Sequence, residues 1–268
     1  MPYADVIGDP ISHSKSPIIH RFWLEALGIG ADYRATHVAP DDLAAFLEGR
    51  AADPDWRGCN VTVPHKIAAL DHVADPGDVR TSIGAVNTIF RQADGTLAGT
   101  NTDAAGFWAP IADLDLAGQP VTVIGAGGAA RAILWALAQV GVGPVTVMNR
   151  NPLKAAALLS HFKLRGQALP LGPSAPPSAL LVNASSLGMV GQPPLSLDLS
   201  ALPDHAVVYD IVYAPLETEL LAAARARDLD TVDGLDMLVA QAAAAFAIFF
   251  GKDPPRDRDD DLRELLTA

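Results

Sequence analysis

Short β-branched apolar runs alternate along this chain with longer stretches whose apolar residues recur every three or four positions. The first run, residues 2–8, closes at Gly8-Asp9-Pro10 and is followed by a helical pattern over Ile18–Leu27. A second strand at Tyr33–Val38 leads to a helix at Asp41–Leu47, and a third strand at Val61–Val63 is closed by Pro64. Asn87–Arg91 and Leu97–Asp103 flank Ala93-Asp-Gly95, the pattern of a hairpin with an Asp-Gly turn. A helix over Ala104–Ile111 follows. The rhythm then resumes with strand Val121–Ile124, helix Ala129–Val140 and strand Pro144–Arg150. Later come strands at Leu180 and at Val207–Tyr213, a helix over Leu216–Arg227, an extended Thr231–Gly234 and a long apolar helix over Leu235–Phe250. Pro170–Ser178 reads as a surface loop, and a terminal helix starts at Asp259. Strand and helix in turn predict an α/β fold.

The glycine turn between Ile124 and the next helix adds chemistry to that outline. It has the form Gly-x-Gly-x-x-Ala, with Gly125, Gly127 and Ala130 at the defining positions. The first glycine permits a tight turn, the second lets backbone approach a pyrophosphate, and the small Ala130 lets helix and strand pack closely. Gly125, Ala126, Gly127, Gly128 and Ala129 are therefore candidate cofactor-binding residues, because free N–H groups at a helix start attract an anion. An NAD-binding strand of this kind usually ends in a carboxylate for the ribose 2′-hydroxyl. Here the end holds Asn149 and Arg150, with Lys154 a turn later. Cations attract a 2′-phosphate where a carboxylate would repel it, so the expected cofactor is NADP (NADPH).

Other polar groups stand where a loop meets an element. Ser14 and Ser16 precede a helix and offer either a cap or hydroxyl donors to an anion. Lys66 follows the third strand at the edge where parallel sheets bind ligands, opening the next helix on this reading. Asp103 begins a helix, as an N-cap or as an acid–base group. Beyond Asp236 at its start, Gln241 is the one polar residue in the long apolar helix, a core amide or a ligand contact.

Composition narrows the classes. The formal charge is −12, which disfavours nucleic acid and anionic membranes as partners. Cys59 is the only cysteine, so no internal disulfide forms, and a reducing, cytoplasmic setting is expected. No signal peptide or membrane span is read. No metal-ligand spacing and no Gly-x-Ser-x-Gly elbow is present.

In combination these segments resemble the shikimate dehydrogenase family, NADP-dependent enzymes of aromatic amino acid biosynthesis. The resemblance rests on Ser12–Pro17, Asn60–Lys66, Gly84–Thr88, Asn101–Asp103, Gly125–Arg131, Asn149-Arg150 and Asp233–Gln241. It implies two α/β domains, a substrate domain of residues 1–102 plus 237–268 and a Rossmann-type NADP domain of residues 103–236, with a cleft between them. It implies that Ser14 and Ser16 hold the substrate carboxylate, that Thr62, Asn87 and Gln241 contact ring hydroxyls, and that Tyr213 lies on the substrate side. Lys66 and Asp103 would be the catalytic pair, Asn149, Arg150 and Lys154 the 2′-phosphate clamp, and Gly234 and Met237 the border of the nicotinamide. The family more often has Arg where Lys154 stands, and a lysine keeps the charge but loses the bidentate fork. The implied substrate pair is shikimate and 3-dehydroshikimate. A paralogue acting on quinate or an amino analogue, and a non-catalytic NADP sensor, remain alternatives. Oligomeric state is open, a homodimer included.

Overall fold

The computed structural model describes residues 1–268, in which two sheets organise two compact units, Met1–Thr102 with Val239–Ala268 and Asp103–Leu238. In the first unit, strands β1 (Tyr3–Gly8), β2 (Asp32–His37), β3 (Trp56–Val61), β4 (Thr88–Arg91) and β5 (Leu97–Thr100) lie in the order β2-β1-β3-β4-β5. The first three strands are parallel, and β4 and β5 add an antiparallel hairpin. Helices α1 (Ser16–Ala26), α2 (Leu43–Ala51) and α3 (Val79–Ser82) belong to this unit. Here Ala4, Val6, Ile11 and Tyr33 bury their side chains with Ala245 and Phe249.

The second unit begins with α4 (Asp103–Trp108) and then forms a six-stranded sheet. Its strands are β6 (Val121–Ile124), β7 (Val145–Met148), β8 (Gly166–Leu169), β9 (Leu180–Asn183), β10 (Val207–Asp210) and β11 (Asp230–Val232). All neighbours are parallel in the order β11-β10-β9-β6-β7-β8. The chain moves outward from β6 on one side, then returns to β9 and moves outward on the other. Such a reversal leaves a crevice at the strand C-termini, where ligands of open α/β sheets bind. Its helices are α5 (Gly128–Val140), α6 (Pro152–His161) and α7 (Glu219–Arg225), and the long α8 (Gly234–Phe250) begins here. Ile124, Met148, Leu181, Val208, Leu220 and Leu221 are among its core. Helix α9 (Asp259–Thr267) ends the chain in the first unit, where the Lys15 ammonium donates to the carbonyl of Leu266.

Several sequence expectations need correction. The third strand spans Trp56–Val61 rather than Val61–Val63. Its apolar pattern is broken by Gly58 and Asn60, and beyond Val61 the chain leaves the ladder: Thr62 N–H donates to Ile7 and Asp9 N–H to the Val63 carbonyl. Lys66 accordingly lies in a turn, and only a 3-10 helix at Ala68–His72 follows. β10 ends at Asp210, short of Tyr213, because the Asp210 carboxylate accepts the Val212 N–H at 3.0 Å and turns the chain away. Helix α6 and strand β8 were not anticipated. The cue for α6 was present: Asn151 accepts from Leu153 and Lys154 N–H as an N-cap, with Pro152 at the helix start. β8 is a short edge strand, Gly-Gln-Ala-Leu, exposed or half-buried throughout, and carries no alternation to read.

Candidate active site

The glycine loop closes β6 against the neighbouring β9. Gly125 has φ +111°, and a Cβ there would stand 2.8 Å from the Ala184 carbonyl, so a side chain is excluded twice over. The loop it rests on is itself fixed: Asn183 Oδ1 accepts from Ser185 N–H and Oγ, and Asn183 Nδ2 donates to Asp210 at 2.9 Å. Burial pushes the Asp210 carboxyl up to about 6, against the bonds from Val212, Thr218 and Asn183 that favour its charged form. Gly127, the N-cap of α5, is extended and exposed, and a Cβ there would meet nothing within 4 Å. No side chain caps α5. Gly128 and Ala129 are half-buried at the helix start, as is Ala126 before it. Open space above a helix start with uncapped N–H groups fits a pyrophosphate.

The strand end beside that loop fits a further phosphate. Asn149 is half-buried, with its amide donating to the Asn151 carbonyl at 2.9 Å. Arg150 and Lys154 are exposed, and neither side chain makes an ion pair or hydrogen bond. Both cations are solvent-exposed with no protein partner, so their charge is available to an added phosphate at this strand end. The donor set therefore suits NADP.

Polar side chains of the first unit converge behind β4 and β5. Asn87 Nδ2 donates to Thr102 Oγ1 at 2.8 Å, and Asn87 Oδ1 accepts the Thr102 N–H at 2.7 Å. Gln241 Oε1 lies 3.5 Å from both Asn87 Nδ2 and Thr102 Oγ1. The structure thus brings Asn87 and Gln241 together, although 154 positions separate them. Asp103, buried, directly follows Thr102 and is the first residue of α4. Lys66 is half-buried, and its carbonyl accepts the Val86 N–H at 2.7 Å, which pins its turn to the segment leading into Asn87. Thr62 stands over the end of β1, and the serine loop enters α1. No side chain caps α1, so Ser16 is buried without a capping role and Ser14 Oγ accepts only the Ser16 N–H, at 3.3 Å.

Tyr213 is half-buried in the loop after β10. Met237 is buried on the first turns of α8. Gly234 begins α8, where a Cβ would stand 2.3 Å from the Ile211 carbonyl, so this glycine serves close packing of helix on loop. Sequence reasoning singled out neither Thr102 nor Thr88, although both bond the Asn87 amide. Thr88 pairs with Thr100 across β4 and β5 and Thr102 lies just beyond that strand, so their approach to Asn87 needs the register to be seen. No group of His, Cys, Asp or Glu is placed to hold a metal ion, and no helix is long and apolar enough to cross a membrane.

Three family models match the chain in order. They describe a shikimate dehydrogenase substrate binding domain at residues 6–89, a shikimate / quinate 5-dehydrogenase at 109–172 and a shikimate 5′-dehydrogenase C-terminal domain at 234–259. Shikimate dehydrogenase (NADP(+)) of Sphingopyxis alaskensis is 65% identical over 267 residues, spanning 100% of this chain and 97% of its own. Among solved structures, shikimate 5-dehydrogenase of Thermus thermophilus in complex with NADP(H) and shikimate superposes with a TM-score of 0.87. It is 36% identical and covers 99% of this chain and 100% of its own. Quinate dehydrogenase from Corynebacterium glutamicum in complex with NAD reaches a TM-score of 0.84 at 30% identity, covering 98% and 99%. On these matches and this fold, the chain belongs to the shikimate dehydrogenase family.

Proposed function

We propose that this chain catalyses the NADP-dependent, reversible reduction of 3-dehydroshikimate to shikimate in aromatic amino acid biosynthesis. The observation that carries the reading is the pairing of an uncapped glycine-loop helix with the unpaired Arg150 and Lys154 at the next strand end, in a chain of this family. Gly125 to Ala129 would hold the pyrophosphate through backbone N–H groups, and Asn149, Arg150 and Lys154 the 2′-phosphate, with Gly234 and Met237 bordering the nicotinamide. Bound NADPH supplies a hydride to the ring ketone carbon.

The chain's own residues do the rest. The hydroxyls of Ser14 and Ser16 donate to the substrate carboxylate, and Tyr213 closes the substrate side. Thr62, Asn87 and Gln241 bond the ring hydroxyls and so fix which face of the ketone is presented. As the carbonyl oxygen gains charge, the Lys66 ammonium stabilises it and delivers the proton; in reverse Lys66 takes the proton from the alcohol. Asp103 orients that ammonium and accepts from a ring hydroxyl. Oxidation of the alcohol releases a proton, so that direction runs better at alkaline pH.

The domain assignment goes with this reading: residues 1–102 with 237–268 bind substrate, and residues 103–236 bind NADP. We place the enzyme in the cytoplasm, where the buried thiol of Cys59 stays reduced. Homodimerisation is read by sedimentation of the same preparation. The deciding assay follows NADPH absorbance with shikimate and NADP, beside quinate and NAD. Fast reduction with shikimate and NADP alone supports the proposal. Turnover of quinate with NAD would favour the second reading, which the likeness to the quinate enzyme motivates. NADP binding with no turnover would leave a sensor.

A further inference from the structure

Behind Asn87 a buried row of hydrogen bonds runs sideways across the first sheet, through residues the chemistry above does not use. Tyr33 on β2 is paired with the small Ala4 on β1, which lets the phenol reach past that strand towards β3. Its hydroxyl lies 2.6 Å from Asn60 Oδ1. Asn60 Nδ2 in turn lies 3.3 Å from the Asn87 carbonyl and 3.0 Å from Thr88 Oγ1. Thr88 Oγ1 is 3.0 Å from Asn87 Oδ1. Tyr33 and Thr88 are fully buried and Asn60 nearly so, so water does not substitute for a missing partner.

The directions of these bonds follow from one fixed acceptor. A main-chain carbonyl only accepts, so Asn60 must turn its nitrogen towards Asn87 O, and its oxygen then faces Tyr33, which donates. Thr88, accepting from Asn60, has its single hydrogen left for Asn87 Oδ1. That oxygen also receives the Thr102 N–H. Two donors hold the Asn87 oxygen inward, so the amide presents its nitrogen towards Thr102 and Gln241. The stack of His20 on Tyr33, with planes 4° apart, keeps the phenol from swinging away.

We propose that Tyr33, Asn60 and Thr88 are positioning residues that fix the polarity of the Asn87 amide, so that a ligand displacing the long 3.5 Å contact to Gln241 meets an N–H donor there and must answer with an acceptor. This rests on the reading of Asn87 as a substrate contact. A ring hydroxyl accepts; an ammonium, which has no lone pair, does not. The row therefore selects hydroxylated substrates against amino analogues.

The test compares wild type with Thr88→Val, Thr88→Ser and Tyr33→Phe, measuring kcat and KM for shikimate and for NADP. Wild type is assayed first: absent turnover of shikimate would sink the functional reading and leave the hydrogen-bond row to be judged by shikimate binding in calorimetry. With turnover established, Thr88→Val and Tyr33→Phe should raise the shikimate KM about fivefold or more, the scale of one lost orienting hydrogen bond. The NADP KM should hold, and Thr88→Ser, which keeps the hydroxyl, should restore the wild-type value. A folded Thr88→Val with unchanged shikimate KM overturns the proposal. So does an equal rise in the valine and serine variants, or an equal rise for both ligands. Should Thr88→Val not fold, Tyr33→Phe, whose ring keeps its stack, decides by the same criteria.

Discussion

The imidazole of His20 lies flat against the ring of Tyr33, with centroids 3.8 Å apart. Neither ring nitrogen of His20 has a partner, and the side chain is fully buried. Burial alone therefore holds the imidazole neutral and lowers its pKa to about 3.

A folded-state value depressed below the unfolded one near 6.5 stabilises the fold fully above that pH, and the contribution is lost as pH falls towards 3. At pH 5 the loss is about 2 kcal/mol, at ~1.4 kcal/mol per unit of pH below the unfolded value. His20→Phe keeps a planar ring and removes the titration. Urea midpoints from pH 8 to pH 4 should fall more steeply for wild type than for this variant; parallel curves would show that His20 stays neutral for some other reason or protonates in place.

Lys66→Ala and Asp103→Ala should each lower kcat by about a hundredfold or more, the usual reach of positioned acid–base catalysis. Thermal melts should first establish that both variants fold. A loss smaller than about tenfold would remove that residue from the proton transfer.

Arg150 is exposed and unpaired, so its removal should leave stability intact. Arg150→Ala should raise the NADP Kd by about tenfold or more while NAD binding barely changes, since only NADP carries the phosphate that a charged hydrogen bond would hold. Calorimetric titration with both cofactors checks this, and equal weakening of the two would refute the clamp.

Gly125→Val places two branches where the Ala184 carbonyl stands and forces a β-branched residue to φ +111°. Stability should drop by roughly 2–4 kcal/mol from strain and overpacking. NADP binding should weaken beyond detection even below the melting temperature. A variant that binds NADP normally would show that the loop after β9 gives way without disturbing the turn.

How much the sequence disclosed depends on how local each feature is. The β6 strand, its glycine turn and α5 are contiguous, so periodicity and two glycines describe them. The long helix α8 is visible because, beyond Asp236 in its first turn, its apolar run is broken only by Gln241. Trp56–Val61 was missed because Asn60 inside it is polar, and what makes a buried asparagine tolerable is Tyr33, 27 positions away. β8 was missed because an edge strand has no buried face to impose alternation. The candidate residues were named through motifs, but the bonds among Asn87, Thr102 and Gln241 depend on strand register and on a helix that returns from the far end of the chain.

The bond from Lys15 to the Leu266 carbonyl ties the loop of Ser14 and Ser16 to the final turn of α9. Helix ends fray before cores melt, and this end carries only Leu262 and Leu266 as buried anchors. Warming should therefore free the lysine and slacken the serine loop while the sheets are still intact. Affinity for a carboxylate-bearing substrate would then decline over a temperature range in which circular dichroism still reports a native fold. If Ser14 and Ser16 hold the substrate carboxylate as proposed, the last turn of the chain would act as a thermal fuse on substrate capture.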